Sequence, residues 1–170
     1  MKKKLREKIL AEVQKKAFEY EKNYYGCSQC VLLAVQDVFG LEGEETFKAA
    51  TGFAGGIGFK GSVCGALTGG IIAIGLEYGR DVQAFLQHDP EKTRFKTFNL
   101  ARKLWKKFEE TYGSCICRDI QKRIFGKSYD LWDLKQYEEF EKDGGHGPNG
   151  CPTVVKNAVK WVAELLLEEK

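Results

Sequence analysis

At 170 residues the chain is long enough to bury one hydrophobic core and short for two ordinary domains, so 1–170 reads as a single domain. Its 27 Lys and Arg against 24 Asp and Glu leave a formal charge of +3, interspersed along the predicted helices, which excludes the concentrated basic stripe of a nucleic-acid surface. Ile9-Leu10 is too short for a secretory leader and Val63 to Leu76 is too short for a membrane span, so the expected address is cytoplasmic, where six cysteines point to redox chemistry or metal ligation rather than structural disulfides.

From Lys2 to about Tyr24, the residues Leu5, Ile9, Val13, Ala17 and Tyr20 recur at helical spacing and predict an amphipathic helix, with Lys2-Lys3-Lys4 as its solvated end. A second helix is expected from near Cys27 to Gly40, burying Val31, Leu32, Val35 and Phe39. Glu44 to about Thr51 forms a short helix, followed by a glycine-dense loop from Gly52 to Gly61. Ser62 is the expected N-cap of the next helix, which runs through Cys64, Leu67 and Ile71 to Tyr78 and stops at Gly79. Asp89-Pro90 signals the start of a long helix carrying Phe95, Phe98, Leu104, Trp105 and Phe108, closed at Gly113. Ser114 should cap a short helix through Cys117, Ile120 and Ile124 ending at Gly126, and Leu131 to Phe140 is a more polar helical piece. Asp143 to Gly150 is a turn, after which Cys151-Pro152 opens a helix with Val155, Val159, Val162, Leu165 and Leu166 on one face. No segment alternates convincingly as a strand, so the fold class is all-α, a compact helical bundle.

The cysteines coincide with those helix starts. Cys27 follows Gly26, Cys64 follows Gly61-Ser62, Cys115 and Cys117 follow Gly113-Ser114, Cys151 follows Gly150, and Cys30 lies one turn beyond Cys27. A helix N-terminus carries unpaired N–H groups and roughly +0.5 charge, which stabilises a thiolate or an anionic cluster. A single cysteine in such a place is more often a small buried hydrophobe, and the repetition is what favours a site.

Cys64-Gly65-Ala66-Leu67-Thr68-Gly69, with its glycine-rich approach, resembles the central motif of the redox-active C_GCAxxG_C_C family of small helical proteins. Cys27-Ser28-Gln29 resembles the family's first cysteine, Gly113-Ser114 with Cys117-Arg118-Asp119 its third, and Gly150-Cys151 its fourth. The resemblance covers about 24–159, leaving 1–23 as an added amphipathic helix. It implies a redox role for Cys27, Cys64, Cys117 and Cys151 without naming a substrate. Cys30 and Cys115 depart from the pattern and leave the ligand set open.

Four thiolates from distant helix ends suit an iron–sulfur cluster passing electrons, with Cys64 and Cys27 as the most reactive thiols. The partner is then a redox protein or a small-molecule thiol or electron donor, and a homodimer is left open. Two alternatives stand beside this. A metal-free thiol–disulfide enzyme would use Cys27 and Cys30, or Cys64 with a partner thiol. A structural zinc would use the pairs Cys27/Cys30 and Cys115/Cys117. His146, five residues before Cys151, is a further candidate ligand, although an isolated loop histidine is usually exposed, as His88 is expected to be.

Thioredoxin-like use of Cys27-x-x-Cys30 needs a β-α-β pattern, and covalent haem needs a histidine where Val31 stands. Gly56-x-Gly58-x-x-Gly61 matches a dinucleotide fingerprint without the preceding strand, so its glycines are assigned to positive φ and close approach. Gly65, Gly69 and Gly70 are assigned to tight helix packing, and Tyr24, Tyr25 and Tyr112 to ordinary core packing.

Overall fold

The computed structural model describes residues 3–169; Lys2 of the basic run lies outside them. Among the described residues the chain is all-α, in the order α1 (Lys3–Tyr24), α2 (Cys27–Phe39), α3 (Glu44–Ala49) with a 3₁₀ turn (Ala50–Phe53), α4 (Gly65–Tyr78), α5 (Val82–Leu86), α6 (Thr93–Tyr112), α7 (Cys117–Phe125), α8 (Leu134–Lys142) and α9 (Cys151–Glu168). Helix stops follow the glycines: Gly40, Gly113 and Gly126 sit in the left-handed region and return their N–H groups to Gln36, Glu109 and Lys122.

Starts depart from expectation where a side chain reaches forward. The long helix α6 begins at Thr93, three residues beyond Pro90, because the buried Asp89 carboxylate accepts hydrogen bonds from Thr93 N (2.9 Å) and Arg94 N (3.2 Å) across the intervening turn. Helix α8 begins at Leu134, not Leu131, because Asp133 accepts from Gln136 N at 3.0 Å. The short α5, capped by Asp81 accepting from Ala84 N at 2.7 Å, has too little apolar periodicity to be foreseen.

The main core joins α2 through Val31, Leu32 and Val35, α4 through Leu67 and Ile74, α6 through Leu104 and Phe108, and α9 through Val155, Val159 and Val162. Helix α1 lays Val13 and Ala17 on this core, packing against α9 and α2. Helix α4 approaches closely because its glycines have no side chain: a Cβ on Gly69 would strike the Ser28 backbone, and one on Gly70 would lie 2.8 Å from both Leu104 and Val162. A second, smaller cluster gathers Tyr129, Leu131 and Phe140 with Phe59, Phe125 and Tyr137.

Candidate functional site

The four cysteines of the family pattern stand at four helix N-termini. Cys27, Cys117 and Cys151 are the first residues of α2, α7 and α9, and Cys64 is the N-cap of α4. Neither predicted serine is a helix N-cap. Residues 62–64 instead pair with 115–117: Cys64 N donates to Cys115 O at 2.9 Å, Cys117 N donates to Ser62 O at 2.6 Å, and Val63 and Ile116 form an antiparallel bridge. This clamp uses the backbone that a Ser62 cap would need and registers Cys64 against Cys117. Ser114 accepts from Ile116 N at 3.0 Å and donates to Asp119 at 2.8 Å, fixing the turn before α7.

Cys27, Cys64, Cys117 and Cys151 line one cavity of about 120 Å³, walled between the two apolar clusters. Cys30 and Cys115 lie outside this lining: the Cys30 thiol donates to Tyr25 O at 3.2 Å and the Cys115 thiol to Trp105 O at 3.4 Å. All six thiols are free. Among the described residues, no three His, Cys, Asp or Glu side chains are gathered tightly enough to hold one metal ion.

The glycine loop shapes the mouth of the cavity. From Gly55 to Phe59 every φ is positive, between 56° and 73°, and Ile57 and Phe59 share this conformation with the glycines. A β-branched residue there is strained and persists only where surrounding contacts fix it. Hydrogen bonds from Gly61 N to Gly55 O (3.1 Å) and from Ser62 N to Gly56 O (2.9 Å) close the loop. A Cβ on Gly56 would lie 2.7 Å from Cys117 Cβ, and one on Gly65 would meet the Cys27 sulfur. The motif glycines therefore make room for two cysteines.

Burial overrides the helix ends. The thiols of Cys27, Cys64 and Cys151 are raised well above their ordinary range, and that of Cys117 to about 12, by desolvation first; the charge of Glu21 comes second for Cys27 and Cys151, and a neighbouring cysteine second for Cys64 and Cys117. This corrects the expectation of lowered thiols. The N–H groups of Gly55 and Ser28 beside Cys27, and of Ala66 and Leu67 beside Cys64, act in the lowering direction and are outweighed. The Gln121 side-chain amide, itself buried, points Nε2 at the Cys117 sulfur (3.7 Å) while its Oε1 accepts from Tyr129 N (2.9 Å).

Two further titratable side chains line the cavity. Glu21 of α1 is buried, its Oε2 has no hydrogen-bond partner, and desolvation lifts its carboxyl to about 7. His146 is not exposed as an isolated loop histidine usually is: its ring packs on Tyr25 (centroids 4.0 Å apart) and Phe140 (5.4 Å), with Nδ1 bonded to Glu141 and Nε2 3.7 Å from Glu21. Both ring nitrogens face carboxylates. Tyr25 thus lines the site instead of serving the core. Glu21 is a site residue that the cysteine motifs do not point to, although its spacing from Val13 and Ala17 sets it on the buried stripe of α1. His88 is exposed, as expected.

A family model described as "Putative redox-active protein (C_GCAxxG_C_C)" matches residues 25–165, including the four cysteines of the cavity. The chain belongs to this family. The match starts where expected and extends past Val159 into the last turns of α9, leaving α1 outside it. Comparisons with curated proteins and with solved structures return no match. No described helix is long and apolar enough to cross a membrane.

Proposed function

We propose that this C_GCAxxG_C_C family member is an electron-transfer protein whose Cys27, Cys64, Cys117 and Cys151 hold an iron–sulfur cluster. The observation that carries this reading is the meeting of four thiols, each from a different helix N-terminus, on one apolar cavity from which Cys30 and Cys115 are left out. The donor set fits such a group. Thiolates are its usual ligands, and backbone N–H groups beside Cys27 and Cys64 offset the negative charge that thiolates and inorganic sulfide bring. Bound there, an iron–sulfur cluster exchanges single electrons.

The chain's own contributions are positioning and exclusion of water. The 62–64/115–117 clamp sets Cys64 against Cys117, the loop 55–59 covers Cys27 and Cys117, and Phe59, Tyr137 and Phe140 wall the cavity. Buried, mutually repelling thiols stay protonated until a cation compensates them, so cluster binding should release protons and require mildly alkaline conditions. The same burial disfavours a metal-free thiol–disulfide enzyme, whose attacking thiol needs to ionise near neutral pH. Cys30 and Cys115 lie outside the cavity lining, which disfavours a zinc site built on the pairs Cys27/Cys30 and Cys115/Cys117.

Anaerobic reconstitution with iron and sulfide, followed by iron and sulfide analysis and visible absorption, tests this. Brown protein that loses its colour in Cys64→Ser but keeps it in Cys30→Ser and Cys115→Ser is the expected result. Colourless, iron-free protein after reconstitution would overturn the cluster, and loss in Cys30→Ser or Cys115→Ser with retention in Cys64→Ser would overturn the ligand set.

A further inference from the structure

We propose that α5 and the outer face of α6 dock the protein on an anionic membrane surface. The short α5 buries none of its residues, and Val82, Phe85 and Leu86 are 74 %, 56 % and 71 % exposed. On α6 the helical repeat that sends Leu100, Leu104 and Phe108 into the core turns Phe95 (53 % exposed) and Phe98 (54 %) outward, with Arg102 and Trp105 further along the same face. Asp89 joins the two helices: its N–H donates to Ala84 O at 2.7 Å, and its buried carboxylate accepts from Thr93 N and Arg94 N. Large apolar side chains thus stand in water around the start of α6, and a patch of this kind marks a contact surface.

Charge decides the occupant. Residues 80–107 carry eight Lys and Arg against three Asp and Glu, an excess larger than the +3 of the whole chain. Two of the three carboxylates are engaged as caps, Asp81 accepting from Ala84 N and Asp89 from the first turn of α6. Among the described residues, Arg80, Lys92, Arg102, Lys103 and Lys107 form no ion pair. Guanidinium groups also sit over the exposed rings, Arg80 4.7 Å from the Phe85 centroid and Arg94 4.9 Å from that of Phe95. A second copy brought to this face would set like charges together. An anionic bilayer meets both halves of the pattern: the apolar side chains enter the acyl boundary while the cations beside them meet lipid phosphates. Projecting from helix faces, these side chains suit a deformable surface that adapts to them. The contact is peripheral, since the opposite face of α6 stays in the core. From Phe95 to Tyr112 the helix rises roughly 25 Å at about 1.5 Å per residue. Cys117 follows its far end, so the four-cysteine cavity lies away from the docking residues.

Co-sedimentation of the full chain with vesicles tests this, using phosphatidylcholine alone or equal parts phosphatidylcholine and phosphatidylglycerol. Binding to the mixed vesicles should be about tenfold tighter or more, and should weaken steeply as salt approaches about 1 M, where the Debye length is about 3 Å. Lys92→Gln combined with Arg102→Gln should weaken it about twentyfold, at about fivefold per cation. Lys8→Gln combined with Lys15→Gln removes the same charge from the exposed surface of α1 and should leave binding unchanged. Phe95→Ser combined with Phe98→Ser should weaken it about tenfold or more. Should that pair fold poorly, Val82→Ser combined with Leu86→Ser gives the decision, because α5 buries nothing. Trp105 reports which face inserts: lipids with brominated acyl chains should quench it in a Trp132→Phe background, whereas quenching should be absent in Trp105→Phe. Equal binding to both vesicle types, an equal loss in the α1 variant, or quenching of the exposed Trp132 in place of Trp105 would overturn the assignment. Self-association abolished by Phe95→Ser with Phe98→Ser, without vesicle binding, would overturn it too by making a second copy the occupant.

Discussion

Glu21 follows Val13 and Ala17 at intervals of four residues, so the same geometry that buries the two apolar side chains buries the carboxyl. Its folded-state value is raised from 4.5 to about 7, chiefly by desolvation, with the Cys30 thiol pulling the other way. The folded protein therefore holds this proton more tightly than the unfolded chain. The favourable state is fully present below about pH 4.5 and is lost as the pH rises through about 7, a cost of about 3 kcal/mol at pH 8. Gln does not titrate. Metal-free Glu21→Gln should thus exceed the parent in stability at pH 8 by up to this amount, with the advantage shrinking toward pH 5. Urea denaturation at the two pH values measures it, and an advantage that is equal at both would show that Glu21 is charged throughout.

At the scale of elements, α4 shows glycine used in two ways. Gly69 lies against the Ser28 backbone of α2, whose hydroxyl is tied to Ala50 O at 2.8 Å, so neither side can yield cheaply. Gly69→Ala should cost about 1 to 3 kcal/mol. Gly75, on the same helix, has open space where a methyl group would stand, with nothing within 4 Å, and Gly75→Ala should add about 0.5 to 1 kcal/mol by helix propensity. Denaturation midpoints of the two variants decide it; a destabilised Gly75→Ala, or a neutral Gly69→Ala, would mean that α4 packs otherwise. The local signals in this sequence are strong: the apolar period of α1, the glycine stops and the Gly-then-Cys steps give the helices and bring the four cysteines to helix ends. What escapes is non-local. The cap of α4 is Cys64 and not Ser62 because residues 62–64 are drawn into pairing with 115–117, more than fifty residues away. The lowered thiols expected from helix ends are reversed by burial that only tertiary packing creates. Glu21 did carry a sequence signal, a charge in register with an apolar stripe, and Tyr137 and Phe140 share one face of α8, whereas nothing local pairs them with Phe59 of the distant glycine loop.

At the scale of the whole molecule, the family match begins at residue 25, yet α1 is no appendage. It packs along α9 and α2, buries Val13 and Ala17 completely, presses the partly buried Leu10 and Tyr20 on the core, and delivers Glu21 to the cavity. Tyr20 and Lys16 also meet Asp37 of α2 at 2.5 Å and 2.9 Å, but this contact is half-exposed and adds little beside the apolar burial. Removing residues 1–24 would uncover the faces of α9 and α2 that α1 shields. Losing the burial of two full and two partial side chains amounts to about 4 to 6 kcal/mol. For a domain of this size that corresponds to a fall of roughly 10 to 20 °C in Tm. The truncated chain should also expose its cavity thiols, so that Cys27 and Cys151, already half-buried, alkylate faster than in the full chain while Cys115 stays protected. Thermal denaturation with mass-spectrometric mapping of alkylated cysteines reads both effects. A truncated protein with an unchanged Tm and an unchanged alkylation pattern would show that the family region closes its own cavity and that α1 is only attached to it.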